Sequence, residues 1–342
     1  MSCKNEHGYT YAIKDFRKEL QPELVKIVSQ GIVMSHGKWL DGITTDKELV
    51  QLSQSEHPVL RACAIKEMLL RKSFNHFDVL MNHLDDTAIV NTDMGKFGYA
   101  FKSVSDEILY AARWKSQEEK NKTIDEVITR HNYLRSAYTI LSKIEPQEKY
   151  YSFIKDMAIR GRSSNSAIKI QDSDFGGALY ALARFRKKVD TKIIKEMLLS
   201  NPSLISGRSL FLMQEFPDTT YLQVYEDFYS KNYYRSICWD SGSELAVNFI
   251  NSIASYKTKR SANILDSIFN HKPFVFCLNE TDTNYLREEL IYAIWNNKCE
   301  AYSKLRKQIE NQLQEYEKNK IEISPIAPDE LLEDGSEEKI RW

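Results

Sequence analysis

Two histidines, His76 and His83, with Asp85, Asp86 and Asp93 close by, come nearest to a metal site in this 342-residue chain. Their spacing argues against one. Seven positions apart on one helix, the imidazoles would share a face but stand roughly 10 Å apart at 1.5 Å rise per residue, too far for a single ion. The aspartates would join them only through a loop, so the group is expected to form a solvated polar edge. Asp240-Ser241-Gly242-Ser243-Glu244 offers a serine among small residues, but without the G-x-S-x-G elbow or a preceding strand, and reads as a helix cap. No phosphate loop, dinucleotide fingerprint, H-E-x-x-H or C-x-x-C pair is present. The chain is therefore expected to be non-catalytic, with no cofactor and no metal. An enzyme with scattered residues, in a pocket near positions 76–110, is one alternative.

Binding chemistry is better represented. Arg184-Phe185-Arg186-Lys187-Lys188 is the densest basic run, and Tyr233, Tyr234, Arg235 and Trp239 bring together the residue types that anchor protein interfaces. The partner-binding candidates are thus Tyr233, Tyr234, Arg235, Trp239, Arg184 and Arg186. Cations also suit a helix C-terminus, and tyrosine can bury its ring while its hydroxyl finds a partner. Most of the 19 tyrosines are accordingly expected in the core. A second alternative sets the basic clusters along a nucleic-acid backbone.

Charge separates these uses. The formal net charge of −1 hides an acidic end: residues 315–342 hold nine acidic and four basic side chains, leaving 43 Lys and Arg against 39 Asp and Glu elsewhere. A surplus of that size over a large body is no footprint for nucleic acid. Five cysteines (Cys3, Cys63, Cys238, Cys277 and Cys299) make an odd, unpaired set that suits a reducing cytoplasm. Ser2-Cys3-Lys4-Asn5-Glu6 resembles the start of a mature bacterial lipoprotein, which makes lipid anchoring through Cys3 the alternative if an apolar leader precedes it. No apolar run is long enough to span a bilayer.

The elements that must position these residues read as helices. Twelve Gly and eight Pro are few for this length, and apolar residues recur every three or four positions with little strict alternation. Thr45-Asp46-Lys47-Glu48 is a capping box, and Pro58 suits the first turn of the next helix. Thr123-Ile124-Asp125-Glu126 repeats the capping pattern, with Ser116–Lys122 read as a charged loop before it. Residues 87–104, with Gly95 and Gly98, read as an irregular connection. Asp218-Thr219-Thr220-Tyr221-Leu222 is echoed by Asp282-Thr283-Asn284-Tyr285-Leu286, each placed at the start of a helix.

Leu60-Arg61-Ala62-Cys63-Ala64-Ile65-Lys66-Glu67-Met68 resembles the second helix of a HEAT repeat: the aliphatic–Arg pair falls on Leu60-Arg61, the small residue on Ala64 and the large apolar residue on Met68. The resemblance is clearest over 45–86. It implies an all-α fold, an α-solenoid of stacked antiparallel helix pairs, with Arg61 as a structural brace to the loops between helices. The expected organisation is an N-terminal helical cap at 1–44, a helical-repeat array at 45–318 and a flexible acidic tail at 319–342. Bacterial HEAT-like proteins of this size include immunity proteins that neutralise toxins, so the resemblance implies a protein-binding scaffold or inhibitor. Helical-repeat DNA glycosylases supply the nucleic-acid analogy, but their catalytic acid has no identifiable counterpart here.

Overall fold

The computed structural model describes residues 8–34, 39–93, 99–141, 143–160, 172–205, 207–230, 242–271 and 280–312. They fall into two compact units that meet in sequence at Glu145 and Pro146, within the stretch expected to be one array. The first unit runs α1 (Gln21–Gln30), β1 (Ile32–Met34), α2 (Asp46–Leu52), α3 (Pro58–Met68), α4 (His76–Met81), β2 (Ile89–Asp93), β3 (Tyr99–Ser103), α5 (Val104–Ala111), α6 (Gln117–Arg130) and α7 (Arg135–Leu141). The chain is mostly helical, as the periodicity implies.

α3 is the centre of the first unit. Its start follows the local chemistry: Pro58 occupies the first turn, where its missing N–H costs nothing. Before it, Thr45 Oγ1 accepts from Glu48 N at 3.2 Å while Thr45 N donates to Glu48 Oε2 at 2.8 Å, closing the box that opens α2. Instead of a single apolar stripe, α3 is buried almost all round, from Val59 through Ile65 and again at Glu67 and Met68. Helices α1, α2, α4 and α5 and strands β1 and β2 all pack on it.

Two expectations are corrected here. Within the stretch 87–104, read as an irregular connection, Ile89–Asp93 and Tyr99–Ser103 are strands. β2 and β3 pair antiparallel, Asn91 opposite Phe101, and β1 joins β2 in parallel, Val33 opposite Thr92. In β2 burial alternates, with Val90 and Thr92 turned to the core, which is the period of a strand with one wet face. The other correction is at α6. Its cap is Ser116, whose Oγ accepts from Glu119 N, so Gln117–Lys122 are two exposed turns of helix. Thr123 lies buried within it, its hydroxyl donating to Glu119 O at 2.9 Å and accepting from Trp114 Nε1 at 2.9 Å.

The second unit comprises α8 (Tyr151–Arg160), α9 (Asp172–Ala183), α10 (Lys188–Ser200), α11 (Gly207–Glu215), α12 (Leu222–Ser230), α13 (Gly242–Ala254), α14 (Lys259–His271), α15 (Glu280–Asn296) and α16 (Ser303–Gln312). Its helices pack on sequence neighbours, as α13 on α14, and also on the next but one. α9 packs between α8 and α11, α11 on α13, and α13 on α15; in a second series α10 packs on α12 and α12 on α14. A period is visible in the turns. Ala183 and Ala254 end α9 and α13, Arg186 and Lys257 take positive φ (54° and 53°), and Lys188 and Lys259 begin helices of 13 residues each. Each pair of landmarks is 71 positions apart (254 against 183, 257 against 186, 259 against 188). The left-handed conformation costs an L-residue roughly 1–2 kcal/mol, so its recurrence marks a turn imposed by the packing of the helices on either side. The Asp218/Asp282 echo does not mark such a period: Asp218 caps the short turn before α12, whereas Asp282–Leu286 lie inside α15.

Tyrosines fasten this unit. Tyr225, Tyr256 and Tyr302 are buried. Tyr256 OH donates to Met213 O at 2.9 Å in the last turn of α11, and Tyr302 OH to Ala254 O at 2.9 Å, the last residue of α13. Carbonyls at helix ends have no partner within their own helix, so these hydroxyls satisfy groups that burial would otherwise penalise. Tyr225 OH pairs with Ser252 Oγ, and Ser252 Oγ donates to Leu210 O at 2.9 Å. Among the described residues, no helix is long and apolar enough to cross a membrane.

Candidate functional site

The structure places Arg184 and Arg186 just beyond the end of α9, within an aromatic cluster. Arg184 lies 6.0 Å from the centroid of the Tyr180 ring, and Arg186 lies 5.5 Å from that of Phe216. Tyr180 is 5.7 Å from Phe211 and 6.1 Å from Phe216, ring centre to ring centre. The packing of α9 beside α11 makes the cluster, because both helices bring the same end to it: Tyr180 and Arg184 from α9, Phe211 and Phe216 from α11. The cations also complement the carbonyl end of α9. Phe211 is 43% exposed and Arg186 is exposed, so the group is a surface and not a core. Glu215 joins at its edge by accepting from Tyr180 OH at 2.7 Å.

The rest of the basic run is used differently. Lys187 reaches Glu148 at 2.6 Å and lies 3.3 Å over the Tyr151 ring. Asp190, buried in the first turn of α10, accepts from Tyr151 OH at 3.0 Å and from Lys155 at 3.1 Å. The Lys155 ammonium is held above the ordinary lysine value by its bonds to Tyr151 and Asp190. These contacts fasten α8 to α10, with Lys187 on the Tyr151 ring, while Arg184 and Arg186 face the rings of Tyr180 and Phe216. Tyr180, Phe211 and Phe216 were not picked out from the sequence. Tyr180 and Arg184 are one helical turn apart, which is a readable signal; Phe211 and Phe216 arrive only through helix packing. Tyr233, Tyr234, Arg235 and Trp239 lie outside the described residues, as do Cys3 and the acidic tail.

A different site occupies the first unit. Arg61, 2% exposed, donates through Nε and Nη2 to Asp86 at 2.6 and 3.0 Å and through Nη1 to Ser55 O at 2.8 Å. Tyr9 covers it, the ring centroid 3.6 Å from the guanidinium carbon. The segment that carries Tyr9 is tied down by Thr10 N to Gln54 O at 3.0 Å and Glu56 N to Tyr11 O at 3.1 Å. Burial, with the Asp86 carboxylate beside it, pushes the Tyr9 phenol up to about 12. Next to this brace opens a cleft of about 760 Å³, whose lining includes the apolar side chains of Val50, Met68, Phe74 and Val79 and the polar ones of Tyr9, Gln54, Asn75, Asp78, Asn82, His83, Asp85 and Asp86.

His76 and His83 do not share a helix. α4 ends at Met81, and His76 Nε2 pairs with Arg71 O at 3.0 Å. His83 lies beyond the helix end and lines the cleft, a correction to the solvated edge expected for it. Desolvation holds its imidazole below the ordinary histidine value; Asp86 opposes that shift and Arg61 adds to it. The unfolded chain then takes up the proton first, so this residue's contribution lowers stability as pH falls below about 6.5. His83→Gln removes that loss: between about pH 7 and about pH 5.5 the urea midpoint of the variant is expected to fall less steeply than that of the parent. Equal slopes would contradict the burial of His83. No group of three or more His, Cys, Asp or Glu placed to hold a metal occurs among the described residues. Cys63 is buried, and desolvation pushes its thiol up to about 12, which leaves no thiolate for nucleophilic work at neutral pH.

Compared with protein-family models, with curated proteins and with solved structures, the chain matches none of them.

Proposed function

We propose that this chain is a non-catalytic, protein-binding helical-repeat scaffold of the HEAT type, and that Tyr180, Arg184, Arg186, Phe211 and Phe216 are the anchors with which it holds an acidic partner. The observation that carries the reading is the composition of that exposed cluster, two arginines within cation–π range of aromatic rings on adjacent helices. Tyr, Phe and Arg are enriched at interfaces because they bury much area for little lost side-chain freedom. The alternate-helix packing of the second unit and its 71-residue period support an α-solenoid. Such a scaffold is preformed, so little ordering entropy is spent on binding. Inhibition of the partner, as by an immunity protein, is the specific form in which we cast this use. The unpaired cysteine set favours a reducing cytoplasm as its setting.

The test is affinity capture from the native host's lysate, comparing the parent with a Phe211→Ala, Arg186→Glu variant. A stoichiometric partner held by the parent, insensitive to nuclease, is expected to weaken at least about 30-fold on the variant, the scale of one interface hot spot of about 2 kcal/mol. Identical partners at equal yield would overturn the assignment, and loss on nuclease treatment would favour a nucleic-acid role.

A further inference from the structure

We propose that the cleft between Tyr9 and α4 binds a cationic group carried on an apolar stem, the chemistry of an alkylguanidinium or alkylammonium. Its volume, about 760 Å³, falls within the range of small-ligand sites. The lining combines two kinds of surface. Val50, Met68, Phe74 and Val79 offer apolar surface for methylenes, while Asp78, Asp85, Asp86 and the amides of Asn75, Asn82 and Gln54 offer acceptors for a charged head.

Charge decides the sign of the ligand. Among the described residues, no Lys or Arg lines the cleft. Arg61, beside the lining residues Asp86 and Tyr9, is engaged by both Asp86 oxygens and by Ser55 O, and Tyr9 covers its face. Asp86 is neutralised in the same pair, so the net field comes from Asp78 and Asp85. Asp85 lies 3.4 Å from His131 Nδ1 and 3.5 Å from Tyr133 OH at the margin, yet its side chain is 67% exposed. Asp78 is exposed on the first turn of α4. An anion entering here would meet the carboxylates of Asp78 and Asp85; a cation meets two partners.

His83 completes the argument. Its half-buried ring lines the cleft and makes no hydrogen bond to any described residue. Neutral at physiological pH, it adds no repulsion to a cation. This inference is independent of the reading of α9 and α11.

Titration calorimetry on the full chain tests it, with arginine amide and lysine amide as probes and their neutral counterparts, citrulline amide and norleucine amide, as controls. The cations are expected to bind and the neutral probes to bind at least about fivefold more weakly. Asp78→Asn is expected to weaken arginine amide by about fivefold, the upper range for one exposed charge pair, and Glu19→Gln, outside the cleft, to change nothing. An acetylated Gly-Ser-Arg-Ser-Gly amide peptide separates the sources: tighter binding than free arginine amide assigns the site to a protein segment, weaker binding to a free amine. No binding by any cationic probe at millimolar concentration, or equal binding of arginine and citrulline amides, would overturn the proposal. So would an Asp78→Asn variant with unchanged affinity.

Discussion

Arg61→Ala is expected to destabilise the first unit by about 3–5 kcal/mol, the range for breaking a buried ion pair from one side. The cost comes chiefly from what stays behind. Asp86 has a side chain 4% exposed and would lose both guanidinium bonds, and Ser55 O would lose its donor. Arg61→Lys should fall between, because an ammonium cannot reproduce the paired donors to Asp86 while also reaching Ser55 O. Replacing both partners, as in Arg61→Met with Asp86→Leu, should recover most of the loss. It should not recover all of it, since Ala88 N donates to Asp86 Oδ1 at 3.2 Å and an orphaned amide costs about 1–3 kcal/mol. Urea unfolding measures the total. Amide exchange localises it: α3 should lose protection while α11 and α13 keep theirs, and a loss of only a few tenths of a kcal/mol would reduce Arg61 to a surface contact.

Glu107→Ala should rank beside it, at about 3 kcal/mol. Glu107, 1% exposed, accepts from Lys66 at 2.5 Å, from Thr92 at 3.2 Å and from Lys102 at 3.4 Å, and Lys66 also donates to Met34 O at 3.0 Å. One carboxylate thus joins α5 to α3, β2 and β3. Removing it takes the counter-charge from two largely buried ammonium groups, leaving Lys66 with Met34 O and Lys102 over the Tyr110 ring, so most of the penalty is uncompensated desolvation. Glu107→Gln keeps the shape and loses the charge, and should cost about half as much. If Glu107→Ala unfolds at the parent's urea midpoint, Glu107 does not hold the sheet to the helices.

What could be read from the residues alone follows the range of the interactions. The Thr45–Glu48 box and the Pro58 start are local chemistry within four residues, and both are where they were expected. Local patterns also compete. Ser116-Gln117-Glu118-Glu119 and Thr123-Ile124-Asp125-Glu126 carry the same S/T-x-x-E signal. Ser116 prevails because the Glu118–Lys122 pair at 2.8 Å and two further exposed turns extend the helix, while Thr123 is wanted inside by Trp114. The strands escaped notice because five residues, Ile89–Asp93, are too few for alternation to stand out. Gly95 and Gly98 read as breakers, although a glycine-containing gap of five between short runs is also a hairpin signal.

The candidate surface divides the same way. Arg184 and Arg186 announce themselves as a basic run, but Phe211 and Phe216 meet them only because α9 lies beside α11. Tyr9 reaches Arg61 across some fifty positions of chain through a segment tied to residues 54–56, which no periodicity encodes. Side-chain chemistry was legible; long-range neighbours were not.

Photocrosslinking from position 211 tests the central claim most directly. With benzoyl-phenylalanine replacing Phe211 in the native host, irradiation should give one discrete adduct with an acidic protein. That adduct should disappear when Arg184→Glu and Arg186→Glu are added, and none should form from Val25, which is 54% exposed in the first unit. No adduct from position 211, or the same adducts from both positions, would contradict the account.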